Sequence, residues 1–380
     1  MIYVLSFIFV LGLIILVHEL GHFLGARAVG IRVDRFSIGF GPKIAAIQRG
    51  ETEYRISYVP LGGYVKMAGM IDESLESPDS FDPNDPHLFM NRKAWQKVVA
   101  VCAGVAMNMI LAAFVLWGVY AIRGRPIAPD HIGTVIDRPI HKYPAEKAGL
   151  QRGDRILAVD GVEVGTWEDL VRELVRKPGQ EVRLDYERGG ERRSLTLITK
   201  SERLPVSLWR GVGTWVRQIL GRPIREEPTG PSAVGKIGIG ALIEFKYERV
   251  GIGQAFVDSW VGTWWIVRQT AAGIWKLVRG QASVKELMGP VGIAKMTGET
   301  ARHGFGELLE LLALISANIG FLNILPIPAL DGGHLVMVGV EAVRRRPLST
   351  KVKLWIQQVG MMLLLVLIAV VLFNDVMKLR

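Results

Sequence analysis

A single cysteine in 380 residues, Cys102, excludes an intrachain disulfide and any metal site built on thiolates. Histidine is scarce too, seven in all, so two at ligand spacing carry weight. No basic residue precedes the first apolar run, Ile2 to Val17, and no small-residue cleavage site follows it. We therefore expect this run to stay in the mature chain, not to be removed as a signal peptide. Acidic residues are in deficit, 36 against 46 Lys and Arg, which gives a net charge of +10. That excess does not point to nucleic acid, because the basic residues cluster beside apolar spans, where membrane topology and anionic headgroups account for them.

The chain is segmental. Hydrophobic residues make up 49% and charged residues still 22%, as in a membrane protein with water-exposed parts. Val98 to Ile122 and Val359 to Phe373 are clear apolar segments and, with the N-terminal run, reach or approach the length that crosses a bilayer. A fourth, Leu308 to Leu330, contains Asn318, Asn323, Pro326 and Pro328, which are costly in a lipid-facing helix. Arg27, Arg32, Arg35, Lys43, Arg92, Lys93 and Lys97 lie between the first two spans, and Arg344, Arg345, Arg346, Lys351 and Lys353 between the last two. Both connections are expected on the cytoplasmic side, with the termini and the large middle region outside.

The first run ends in His18-Glu19-Leu20-Gly21-His22. Histidines four apart share a helix face and can ligate one zinc, with the intervening glutamate placed to take a proton from water. Ionisable residues inside a span cost roughly 2.5–3.5 kcal/mol on insertion scales, so such a cluster reads as functional. Two ligands do not complete a catalytic zinc site. In the awkward third span, Asn323-Ile324-Leu325-Pro326-Ile327-Pro328-Ala329-Leu330-Asp331-Gly332-Gly333 offers Asp331 as the missing oxygen donor. The prolines break the helix there, an arrangement acceptable at membrane depth only where protein or a wet cavity covers it. Asn323 suits either a second oxyanion donor or a cap on the broken helix. His334 could be a fourth ligand, but three suffice, and we expect it near the cytoplasmic surface.

Val33 to Met67 reads as short strands and hairpins, either a sheet dipping toward the metal helix, where an edge could pair with unwound substrate, or a small cytoplasmic cap. Ile71 to Asn91, acidic and proline-rich, reads as a surface loop. From Ile127 to Lys200 the pattern is that of a water-soluble domain. Its run Pro144 to Gly161, with Gly153-Asp154-Arg155-Ile156-Leu157, resembles the core of a PDZ domain, and Trp167 to Arg176 its groove helix. Such a domain either senses peptides or plugs the membrane face. Ala255 to Val278, with Trp260, Trp264, Trp265 and Trp275, suits a helix at the membrane interface.

With a PDZ-like run between them, HExxH in the first span and NxxPxPxLDGG in the third resemble the site-2 protease family of intramembrane zinc metalloproteases. Pro60-Leu61-Gly62-Gly63-Tyr64-Val65-Lys66-Met67 is similar to the membrane-associated β region of its bacterial RseP-like branch. The fold implied is an α-helical polytopic membrane protein of four spans, with that β region and one extracytoplasmic α/β PDZ domain. Its parts are expected at 1–26 (first span), 27–94 (β region and acidic loop), 95–122 (second span), 127–200 (PDZ), 201–250 (linker), 251–280 (interfacial helix), 305–333 (third span), 334–354 (basic loop) and 355–377 (fourth span). The resemblance implies Zn2+ on His18, His22 and Asp331, Glu19 as base, and Asn323 holding substrate or transition state. Pro326, Pro328, Gly62 and Gly63 are the further substrate-binding candidates.

Implied substrates are single-span membrane proteins, such as an anti-sigma factor trimmed by an upstream site-1 type protease, or signal-peptide remnants. The implied location is the bacterial inner membrane, with the active site near its cytoplasmic side. The best-known enteric members carry two PDZ domains, whereas one Gly-Asp-Arg-Ile-Leu motif occurs here. Two rivals stand beside this reading. A silent PDZ-containing adaptor with a structural metal has no need of Glu19, and a metal transporter would spread its ionisable residues along a path.

Overall fold

The computed structural model describes residues 1–70, 84–127, 133–140, 142–202, 234–241, 246–281 and 287–379. The chain opens with helix α1 (Ile2–Ala28), a hairpin of β1 (Val33–Arg49) and β2 (Thr52–Met67), and α2 (Ala94–Arg123). There follow β3 (Arg125–Ile127), β4 (Ile136–Pro139), α3 (Pro144–Lys147), β5 (Arg155–Val159), β6 (Val162–Glu163), α4 (Trp167–Val175), β7 (Glu181–Arg188), β8 (Glu191–Ile198) and β9 (Lys200–Glu202). After β10 (Val234–Lys236), β11 (Ile239–Ala241) and β12 (Lys246–Glu248) the described elements are helical: α5 (Ile252–Val278), α6 (Pro290–His303), α7 (Phe305–Asn323), α8 (Asp331–Arg344) and α9 (Thr350–Leu379). Two units result, one of Met1–Gly124, Arg249–Ile274 and Val284–Arg380, the other of Arg125–Glu248 and Trp275–Ser283.

Four described helices in the first unit, α1, α2, α7 and α9, are long and apolar enough to cross a membrane. Among apolar helices, close approach comes from small residues. Gly21 and Gly25, spaced as G-x-x-x-G on α1, lie against Ala103 of α2, and a Cβ on Gly21 would strike the Ala103 carbonyl. Nearer its N-terminus, Val10 and Ile14 of α1 pack with Leu308, Leu312 and Ile315 of α7. Helix α5 buries Ala255, Ile266 and Val267 on Leu116 and Tyr120 of α2 and on Ala313 and Ala317 of α7. Asn318, costly toward lipid, accepts a hydrogen bond from Thr270 of α5 at 2.5 Å.

The third span differs from the single broken helix expected over 305–333. Helix α7 ends at Asn323, and a separate α8 begins at Asp331 and takes up much of the loop expected at 334–354. Pro326 and Pro328 lack the N–H that a helix needs and bias the residues before them to extended conformations. Asp331, an acid in the first turn, favours a fresh helix start. Helix α6 was not anticipated, because too few apolar residues mark it. It starts on Pro290, and Asp375 of α9 accepts from the N–H groups of Gly289 (3.2 Å) and Gly292 (2.8 Å) at that end. Near the start of α9, Glu341 of α8 meets Lys353 at 2.6 Å and Lys97 of α2 at 3.5 Å, tying three helices together.

Instead of several short strands, Val33 to Met67 forms one long, irregularly registered hairpin that turns at Gly50 and Glu51. Its base is buried, with Val33, Phe36 and Met67 clustered on Phe23 and Ala26 of α1. Of the acidic stretch Ile71 to Asn91, residues 71–83 lie outside the described residues. In the remainder Phe89 is buried and Asp85 pairs with Arg32.

The second unit is built on an antiparallel sheet ordered β6-β5-β7-β8, its core formed by Ile156, Val159, Leu170, Leu174, Val182 and Leu184. Its boundaries are wider than the 127–200 expected. Ile237 is a core residue, β11 pairs with β4, and β12 pairs with β3. The expected linker 201–250 therefore contributes strands at both ends, while residues 203–233 lie outside the described part. Such short strands, separated in sequence from their partners, leave little local signature.

Asp154 of the Gly-Asp-Arg-Ile-Leu run is fully buried and takes two 2.7 Å bonds from Arg188, Nε to Oδ1 and Nη2 to Oδ2. Burial alone would raise its pKa, but the Arg188 bonds and the Gln151 N–H overcome that and hold the carboxyl below its usual range. A depressed pKa stabilises the fold above the carboxylate range, and the contribution disappears as pH falls through the folded pKa. We expect Arg188→Met to make this unit more susceptible to proteolysis at neutral pH. The gap from wild type should close as the medium is acidified below about pH 4. A pH-independent gap in pulse proteolysis would reject the linkage.

Candidate metal centre

His18 and His22 lie one turn apart on α1 and are both buried, their rings edge to face at 4.7 Å. Asp331 reaches the same place because the segment between α7 and α8 doubles back. Gly332 and Gly333 permit this, since a Cβ on either would strike the Leu325 or Ile327 carbonyl. Ala329, with φ of +75°, is in the left-handed region within that turn. Asn323, the last residue of α7, returns to the site from the other end, its Nδ2 3.2 Å from His18 Nε2.

The donor atoms form a near-equilateral triangle. His18 Nε2 is 3.1 Å from His22 Nε2 and 3.2 Å from Asp331 Oδ2, and His22 Nε2 is 3.4 Å from that oxygen. A tetrahedral ion with bonds of about 2.0–2.1 Å holds its donors about 3.3 Å apart. Asp331 Oδ2 is also buried without a hydrogen-bond partner, as befits an atom reserved for a cation. Among the described residues this is the one group of three or more His, Cys, Asp or Glu side chains that could hold a metal. The residues fit zinc, with an open face for water.

That face opens on a cavity of about 550 Å³ lined by Glu19, Gly63, Tyr64, Asn323 and His334 together with apolar side chains. His334 is thus at the wall but outside the ligand triangle. Of the substrate-binding candidates, Gly63 lines the cavity, while Gly62 is covered by the Phe40 ring. Pro326 is exposed, Pro328 packs on Gly360 of α9, and neither lines the cavity.

Sequence reasoning missed the supports. Tyr64 stacks on Phe40 at 6.1 Å, and its hydroxyl accepts from Arg35 (3.3 Å) and Arg55 (3.2 Å). Glu53 joins the two guanidinium groups, and their hydrogen bonds hold its carboxyl below the usual range. The His22 Nδ1 lies 3.0 Å from the Ala100 carbonyl, and its ring lies over Gly104 of α2, where any Cβ would overlap it.

The model for peptidase family M50 matches residues 6–367. The chain belongs to this family, the site-2 proteases. Its M50 relatives match end to end. A protein of Agrobacterium fabrum with a provisional zinc-metalloprotease name is 33% identical, covering 99% of this chain and 96% of that one. The regulator of sigma-E protease RseP of Escherichia coli is 31% identical, with 98% of each chain covered. The zinc metalloprotease RasP of Geobacillus kaustophilus is 28% identical over 99% of this chain and 98% of its own. This M50 chain is accordingly a zinc metalloprotease, rich in helix, with four candidate membrane-spanning helices and a β region.

Proposed function

We propose that the protein hydrolyses peptide bonds inside the transmembrane segments of single-span proteins, with His18, His22 and Asp331 holding zinc and Glu19 as general base. The observation that carries this is the donor triangle, two of whose corners stand on an apolar 27-residue helix, with Glu19 beside them on the cavity wall. Bound zinc supplies Lewis acidity that makes water a nucleophile near neutral pH. Glu19 takes the proton of the attacking water and delivers it to the leaving amide nitrogen. The carboxamide of Asn323 stands at the same face and donates to the oxyanion as the carbonyl is attacked. Because a helical peptide bond is masked by its own hydrogen bonds, substrate enters unwound. Gly63 and Tyr64 of β2 line the cavity, so the hairpin edge is placed to pair with it.

The chain crosses the inner membrane four times on this reading, through α1, α2, α7 and α9. The basic connections face the cytoplasm, and the termini and the Arg125–Glu248 unit, a PDZ-type domain, lie outside. Helix α5 presents exposed Trp260, Trp264, Trp265 and Trp275 to the membrane interface. The outer unit and α5 together restrict access to substrates already trimmed by an upstream protease. The sigma-E regulation in the name of the Escherichia coli relative supports an anti-sigma factor as one such substrate, with signal-peptide remnants another. An adaptor with a purely structural metal is disfavoured by Glu19 on the cavity wall.

The test is cleavage of single-span substrates, trimmed and untrimmed, by the purified full-length protein in detergent. Cleavage should fall within the span, stop on chelation, return with zinc and be faster for trimmed substrate. Asn323→Ala should slow it by about 10²–10³-fold if the amide serves the oxyanion, and only slightly if it caps α7. Zinc bound without cleavage of any trimmed substrate would move the conclusion to the adaptor.

A further inference from the structure

Asn108 has no part in the steps above, yet it is fully buried on α2 beside the ligand triangle, one turn after Gly104. Its Nδ2 lies 3.3 Å from His18 Nδ1, and its Oδ1 is buried with no hydrogen-bond partner. Helix α7 fixes the residue from behind. Ser316 Oγ donates to the backbone carbonyl of Asn108 at 2.9 Å, and a Cβ on Gly320 would press on the Asn108 Cβ.

An imidazole that coordinates through one nitrogen needs that nitrogen bare and the other protonated and donating. His18 gives Nε2 to the triangle, so its Nδ1 must carry the hydrogen and find an acceptor. For His22 the Ala100 carbonyl fills that role. For His18, a half-turn of the Asn108 carboxamide exchanges its oxygen and nitrogen while moving no other atom, and turns Oδ1 toward Nδ1. We infer that Asn108 is a positioning residue for the metal centre: its Oδ1 accepts from His18 Nδ1–H, fixing the tautomer that leaves Nε2 free for zinc. This rests on the ligand assignment proposed above. It also makes the two histidines unequal, because no substitution removes the carbonyl behind His22, whereas one removes the acceptor behind His18.

The test is zinc affinity of the full-length protein by chelator competition, with melting of each zinc-free form measured alongside. Asn108→Leu keeps the size and removes the acceptor, so zinc binding should weaken about 10–100-fold while the zinc-free protein melts like wild type. Asn108→Asp keeps an acceptor and loses the N–H donors, and should bind zinc at least as tightly as wild type. Leu within about threefold of wild type, or a folded Asp variant as weak as Leu, would overturn the inference. If the Leu variant does not fold, the Asp variant alone decides, with a tenfold or greater loss counting against. His18→Ala separates the two claims. Unchanged zinc affinity there would bring down the ligand assignment and this inference with it, whereas loss there with full retention in Asn108→Leu brings down the inference alone.

Discussion

Glu19→Gln lowers cleavage of a single-span substrate by about 10²–10⁴-fold, the range that a positioned general base contributes, while zinc content stays at the wild-type level. Both halves follow from where Glu19 sits. It lines the cavity, so its carboxylate can exchange protons with water and substrate there, and it is absent from the triangle of His18, His22 and Asp331. The amide keeps the volume and hydrogen-bonding reach of the acid but cannot accept and return a proton. The variant should therefore still hold substrate, and a span cross-linked to the inactive protein would identify the segment that enters. Cleavage above a tenth of the wild-type rate, or loss of zinc together with activity, would remove Glu19 from the role of base.

Gly104→Ala removes zinc binding although residue 104 touches neither metal nor substrate. The His22 ring lies over the Gly104 Cα, and an added Cβ would overlap its Nε2, Cε1 and Cδ2. The contact is with the coordinating nitrogen itself, so the ring must rotate away, and the Nδ1 bond to the Ala100 carbonyl breaks with it. We expect zinc affinity to drop by about 100-fold or more, beyond the usual effect of an outer-shell change, because a ligand is displaced. Gly118→Ala on the same helix is the control, since nothing lies within 4 Å of a Cβ there. It should leave affinity unchanged. Equal zinc binding by the Gly104 and Gly118 variants would show that His22 has another way to reach the metal.

These two results draw on different kinds of information. The glutamate is legible from its pentad alone, because helix periodicity puts His18 and His22 on one face whatever the surroundings. The same holds for the long apolar helices α1, α2 and α9, which declare themselves by length and hydropathy. Gly104, in contrast, is one of 43 glycines, and no local pattern marks it as the socket of a histidine 82 positions earlier. Asn108 is equally silent in sequence, since its role depends on which helix packs against it.

Where sequence reasoning fell short, competing local rules were present. The prolines at 326 and 328 mark the break, but the helix restart at Asp331 depends on a loop held by close packing at Gly332 and Gly333. The second unit extends past Lys200 without a local signal because β10, β11 and β12 are three residues each, too short to show alternation, and find their partners far back along the chain.

The sequence by itself determined the chemistry: two histidines and a glutamate at helical spacing in an apolar run, and a distant aspartate after a broken helix. Tertiary structure alone decided the geometry. A donor triangle with sides of 3.1 to 3.4 Å needs α1, α2 and the turn between α7 and α8 to approach within glycine distance. That approach is a property of facing surfaces rather than of any one segment, because the energy of close packing is set by pairs of residues far apart in the chain.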